Sequence, residues 1–378
     1  DRTYLRQAPR LRNAQFSSIV FGNRNREYGG PDLAFFCIRC GLGRMSRLNR
    51  MINRPFGATG FSTLPIGLGC WQLGNGWDGA FDQAEAIATM DQAVESGVRF
   101  FDTADVYSDG KSEAAIGRFL KTKREQIFVA TKIGRGSEPG WPENFTSAAM
   151  HAHVEATLRR LQVSTIDLLQ LHCIPPAFLA GGEVFETLRN LRQSGKIRFF
   201  GASVESVEEG LTCLAQPGCA SLQVILNILR QKPLDVLLPA AQRAGVAIIV
   251  RLPLASGLLT GKLRADTVFN ATDHRSFNRD GAAFNVGETF AGLPYAVAIE
   301  LIEQLRSRVP AGMSMADMSL RWLLDQSAVS VVIPGASRAP QIRANVAVAA
   351  LPPLPPELHA WLRIFYREKV VAHIRGPN

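Results

Sequence analysis

Four side chains able to move a proton each close a short apolar run. Asp102 ends the run 98–101 and is followed by Thr103-Ala104-Asp105-Val106-Tyr107; Lys132 follows the run 127–130 by two residues; His172 directly follows the run 166–171. An acid, a phenol, an amine and an imidazole on one rim suit delivery of hydride to a carbonyl, whose growing alkoxide must receive a proton from a nearby acid. Tyr107 is the candidate acid. A free phenol titrates near pH ~10, and an adjacent Lys132 ammonium is expected to lower that value. An ion pair with Lys132 would make a buried Asp102 tolerable, and His172 would hydrogen-bond the substrate oxygen and orient it. Taken singly, the four have ordinary explanations: a helix cap, a packed aromatic, a surface charge, a satisfied histidine. Their placement on successive strand ends favours the joint reading. His151 and His153, two apart on a helix, face different ways, and no metal site is expected.

The elements that must position these groups alternate regularly. From about residue 62, short β-branched or aromatic runs are followed by segments of helical period. Strands are expected at 64–68, 98–101, 127–130, 166–171, 197–200, 221–225, 246–250 and 329–333. The first helix shows the local logic: Asp82 and Glu85 form a capping pair, Ile87, Met90 and Val94 mark one face, and Gly97 stops it. Met150, Val154, Leu158 and Leu161 share a later face, as do Phe185, Leu188 and Leu191. Eight such units point to an α/β fold, a (β/α)8 TIM barrel, in which reactive side chains come from the C-terminal strand ends. An open doubly wound sheet is disfavoured, because no strand is followed by G-x-G-x-x-G opening a helix. One long connection, 263–294, reads either as a lid or as a surface excursion. The barrel is assigned to residues 51–350, with 351–378 a tail packing outside it.

Composition sets the remaining bounds. The 378 residues are 46% hydrophobic and 20% charged, which fits a globular chain. The net charge of +9 is concentrated at one end: residues 1–50 hold ten Arg, no Lys and three acids, leaving 32 basic and 30 acidic residues, a charge of +2, in the rest. A nucleic-acid groove on the body is therefore not expected. The Arg-rich leader 1–50 is read as sequence outside the native protein, with translation starting at Met45 or Met51, or as an organelle transit peptide. The body is placed in the cytoplasm, or in an organelle under the second reading. No apolar run spans a bilayer. Six scattered cysteines read as free thiols, and Cys37-x-x-Cys40 lacks a second half for zinc. Gly257-Leu-Leu-Thr-Gly261-Lys262 is one residue short of a phosphate-binding loop, and no Gly-x-Ser-x-Gly elbow occurs.

Over about 53–345 the chain resembles the aldo-keto reductases. Gly67-Leu-Gly69-Cys-Trp71 is similar to that family's first-strand segment, Phe101-Asp102-Thr103-Ala104-Asp105-Val-Tyr107 to its Asp/Tyr motif, Ala130-Thr131-Lys132 to its lysine strand, and Leu171-His172 to its histidine. The resemblance implies a catalytic tetrad of Asp102, Tyr107, Lys132 and His172, hydride supplied by NADPH, and Trp71 lining the pocket for a small carbonyl substrate. It further implies that Ser203 in Gly201-Ala-Ser203 and Gln223 hold the nicotinamide end. Pro253, Leu254, Ser256, Gly257 and Leu258 would line the pyrophosphate loop, and Gly335, Ser337, Arg338, Gln341 and Asn345 the adenosine end. A helix starting near Ser337 would offer free N–H groups to a phosphate, with Arg338 favouring NADPH over NADH and Gln341 and Asn345 flanking the adenine.

Three positions depart from the family pattern. Val204 stands where Asn often follows the carboxamide serine, Leu226 where Tyr often precedes Asn227, and Arg251 where an aromatic commonly stacks on the nicotinamide. A guanidinium there should tolerate neutral NADPH better than the positive ring of NADP⁺, so preferential NADPH binding is expected. Two other functions fit part of the pattern: a Schiff-base lyase using Lys132, and a non-catalytic NADP(H)-binding regulatory subunit. Neither the substrate nor an oligomeric state is written in these motifs.

Overall fold

The computed structural model describes residues 52–75 and 81–378; the leader and Cys37-x-x-Cys40 lie outside the described residues. Eight parallel strands follow one another in chain order: β1 Leu68–Gly69, β2 Phe100–Asp102, β3 Phe128–Ile133, β4 Ile166–His172, β5 Ile197–Ser203, β6 Cys219–Ile225, β7 Ala247–Arg251 and β8 Val329–Val332. Parallel bridges from Ile66 to Val332 and from Gly69 to Gly335 bring the first strand beside the last, closing the sheet into a (β/α)8 barrel. All eight expected strands are present, the first shifted from 64–68 to Leu68–Gly69 with Ile66 forming only a single bridge. β2, β3, β4, β5 and β7 run far enough to include Asp102, Lys132, His172, Ser203 and Arg251, which the sequence placed at or just past the strand ends.

The two-residue period of a strand separates two cores. Phe100, Ala130, Leu168, Ile249 and Val331 pack with one another in the cluster inside the barrel, while their neighbours Phe101, Val129, Leu169, Val250 and Val332 pack under the helices. Counting two residues onward from the inner set reaches Asp102, Lys132, Gln170 and Arg251. Each polar group is thus the next inward step above an apolar residue.

Helices form where the caps allow. Asp82 accepts from the N–H groups of Ala84 and Glu85 to start α1, Gln83–Glu95, and Gly97 at φ 88° follows its end. Met90 and Val94 are buried there as expected, but Ile87 is 40% exposed and Ala86 takes its place in the core. In α2, Ser147–Leu161, and α3, Glu183–Gln193, the expected apolar faces are all buried.

A small hairpin absent from the sequence reading, Arg54–Pro55 with Ser62–Thr63, caps the N-terminal end of the barrel. Phe56 packs 5.2 Å from the Phe100 ring and 5.5 Å from Phe128, and Arg54 Nη1 donates to the Val329 carbonyl at 2.8 Å. At the far end of the chain, α4, Pro356–Phe365, buries Leu362 and Phe365. The last residues then run back to the 263–294 connection: Arg375 donates to the carbonyls of Gly292 and Arg279 and to Asp280, and Arg230 reaches the carbonyls of Ala291 and Pro377. Among the described residues no helix is long and apolar enough to cross a membrane.

Candidate active site

At the C-terminal end of the barrel a cleft of about 260 Å³ is lined by Trp71, Asp102, Tyr107, His172 and Arg251, among others. Lys132 lies beneath it, fully buried, and all three of its N–H donors are used: Asp102 Oδ1 at 2.5 Å, the Thr103 carbonyl at 2.8 Å and the Tyr107 hydroxyl at 3.2 Å. The second oxygen of Asp102 accepts from Gln223 Nε2 at 2.7 Å and Gln170 Nε2 at 3.3 Å. Burial alone would discharge the ammonium, yet Asp102 and Tyr107 outweigh it and hold the Lys132 pKa above its ordinary value.

Tyr107 behaves differently from the sequence expectation. Burial raises its pKa, and Lys132 offsets only part of that, so the phenol stays protonated through neutral pH. The His172 ring meets Tyr107 edge-on at 6.1 Å. Burial, followed by the charges of Arg135, Lys132 and Arg251, pushes the imidazole well below its ordinary value and keeps it neutral. Trp71 stacks over Tyr107 at 6.1 Å and leans on His274 at 5.0 Å, closing one side of the cleft.

The remaining expected residues divide into three groups. Gln223, Arg251, Pro253, Leu254, Ser256, Gly257, Gly335 and Gln341 line the cleft. Ser203 and Leu258 are buried behind it, Ser203 with its hydroxyl 3.8 Å from Cys173 Sγ and Leu258 in the outer core. Ser337, Arg338 and Asn345 are not on the cleft wall. The helix there, Ala339–Ala347, starts two residues past Ser337, and the N–H groups of Ser337 and Arg338 are taken by Gln341 Oε1 at 2.8 and 3.0 Å, so they are not free as expected.

Residues that the sequence did not single out complete the site. Gln170 shares Asp102 with Gln223. The 263–294 connection brings His274, Arg275 and Glu288 onto the cleft wall. Glu288 joins a buried charged group with Arg135 at 2.7 Å and Arg251 at 3.4 Å, while Glu205 meets Arg135 at 3.2 Å. Burial would raise the Glu288 carboxyl, but the two arginines bring it down to about 2.

The donor set fits a nicotinamide dinucleotide. His172 Nδ1 and Arg251 Nε are buried with no hydrogen-bond partner. The loop after β7 holds Leu252, Ala255, Ser256 and Gly257 at φ 53°, 48°, 56° and 95°, a concave backbone of the kind that receives anions. Arg275 stands beside it: a Cβ on Gly257 would lie 3.6 Å from Arg275 Nη1.

The aldo/keto reductase family model matches residues 65–367. Aldo-keto reductase YhdN of Bacillus subtilis is 30% identical over 293 residues, covering 76% of this chain and 85% of that one. The NADH-specific methylglyoxal reductase of Escherichia coli is 30% identical over 312 residues, covering 78% and 92%. Among solved structures, aldo-keto reductase AKR11C1 from Bacillus halodurans in its holo form aligns with TM-score 0.68 at 28% identity, over 86% of this chain and 98% of its own.

Proposed function

Because this chain belongs to the aldo/keto reductase family and is an oxidoreductase, we propose that it reduces a small aldehyde or ketone to an alcohol with NADPH, Tyr107 supplying the proton. The observation that carries this reading is the Lys132 ammonium, bonded to both the Asp102 carboxylate and the Tyr107 hydroxyl at the floor of the cleft. NADPH, when bound, supplies the hydride to the carbonyl carbon. Tyr107 gives its proton to the carbonyl oxygen, and Lys132 stabilises the phenolate that remains until a proton is regained from solvent. Neutral His172 orients the oxygen. Asp102, held by Gln170 and Gln223, keeps Lys132 charged. Trp71 lines the substrate side, and Pro253, Leu254, Ser256 and Gly257 with Arg275 suit the pyrophosphate. Ser203 and Gln223 remain the proposed carboxamide end. Gly335, Gln341 and Asn345 are assigned to the adenosine, and Ser337 and Arg338 to its phosphate after Gln341 moves aside.

The pairing of Arg251 with Glu288 weakens the expectation that Arg251 alone repels NADP⁺. Three used N–H donors and a raised pKa leave Lys132 a poor nucleophile, which disfavours the Schiff-base lyase. Four buried free cysteines among the described residues support a reducing, cytoplasmic setting.

Consumption of NADPH and of NADH should be followed across aldehydes, ketones, sugars and quinones, with Tyr107→Phe as control. We expect turnover with NADPH and a loss of at least about 100-fold in kcat for Tyr107→Phe. Equal turnover by both proteins would remove Tyr107 from the role, and binding without turnover would favour the regulatory subunit.

A further inference from the structure

We propose that Glu288, carried onto the cleft wall by the 263–294 connection, sets the relative affinity of the site for oxidised and reduced nicotinamide by neutralising Arg251. The inference rests on the reading above that the nicotinamide lies against Arg251. Both residues line the same cleft as Tyr107 and His172, and both are almost fully buried, with 6% and 9% exposure. Water therefore screens them little.

The charged group is small enough to follow. Arg251 and Arg135 bring two positive charges, and Glu288 is the acid within ion-pair distance of both. Glu205 is bonded to Arg135, and it attracts Arg251 only from beyond ion-pair distance. Cys173, 3.6 Å from Arg251, adds no charge, since burial raises its thiol to about 12. His172 is neutral. Arg251 thus depends on Glu288 alone for a bonded counter-charge, and that carboxylate comes from a segment outside the barrel strands.

The two cofactor forms differ chiefly by the positive charge on the oxidised ring. Their affinity ratio therefore reports the field at the ring, while the phosphates, common to both, cancel. An uncompensated Arg251 opposes the oxidised form; the Glu288 carboxylate removes that opposition. The aromatic position of the family pattern is replaced here by a salt bridge, and the balance of cofactor forms becomes a property of a loop residue.

Fluorescence and calorimetric titration of NADP⁺ and NADPH read this directly, without turnover. Glu288→Gln keeps the volume and removes the charge. We expect its Kd for NADP⁺ to rise about tenfold while that for NADPH changes less than about threefold. Arg251→Met should shift the ratio the other way, and the double variant should return it to within about threefold of wild type. Arg251→Met gives an independent reading should Glu288→Gln fold poorly. A Glu288→Gln protein that weakens both forms equally, or an unchanged ratio in Arg251→Met, would overturn the inference. A wild-type protein that binds neither form would overturn the functional reading itself, and this inference with it.

Discussion

Lys132 is the residue on which its neighbours depend most. Replacing it with Met leaves the Asp102 carboxylate buried without its counter-ion and Tyr107 without its donor. We expect a loss of about 3–5 kcal/mol in stability and at least about 100-fold in kcat, with Asp102→Asn in the same chain recovering part of the stability and none of the rate; urea melts and steady-state kinetics read the two separately. Since burial keeps Tyr107 protonated, the reduction rate should hold through neutral and mildly alkaline pH and fall only above the ordinary phenol range, which a pH–rate profile checks. Asp105 gives a stability test. Burial and then Glu113 push its carboxyl up to about 7. The folded state holds that proton more tightly than the unfolded chain, so folding stability falls as pH rises from the ordinary carboxyl range to about 7. At about 1.4 kcal/mol per pH unit the ceiling is about 4 kcal/mol, and Asp105→Asn should flatten the decline in denaturant midpoints. Asp102, Tyr107, Lys132 and His172 were legible because each stands at or near the end of an apolar run. The direction of the Tyr107 shift was not, because depth of burial is a property of the closed barrel and not of the neighbouring residues in the chain.

Among the elements, the eight strands were legible for a physical reason: each is buried on both faces over most of its length, so it reads as a compact apolar run between helix stops such as Gly97 and Gly195. The hairpin 54–63 has strands of two residues each, too short to carry a period. Its worth is measurable: Phe56→Ala should cost about 3–5 kcal/mol, seen as a lower melting temperature with cofactor affinity unchanged. Gln170 was readable in principle, by counting back two from His172 on an inward-facing column. His274, Arg275 and Glu288 were not, since the connection that carries them has no repeating pattern and reaches the cleft only through the path of the whole loop.

Across the whole molecule, the end of the chain and the 263–294 connection are stitched together through Arg375 and Arg230. Arg375→Ala should speed hydrogen exchange of amides across 279–293 and weaken cofactor binding about threefold to tenfold, while barrel amides keep their protection; mass-spectrometric exchange reads both regions in one experiment. The inward columns have a wider bearing on how such a chain can change. Asp102, Lys132, Gln170 and Arg251 each share a strand face with the apolar residue two places before them. A single residue inserted in β3 ahead of Ala130 would therefore turn the ammonium toward the helices and send Ala130 out of the interior together. Substitutions can silence this site one group at a time, whereas slippage of a strand forfeits fold and chemistry at once. Descendants that still close the barrel therefore inherit the alignment of the rim, whatever reaction they come to use it for.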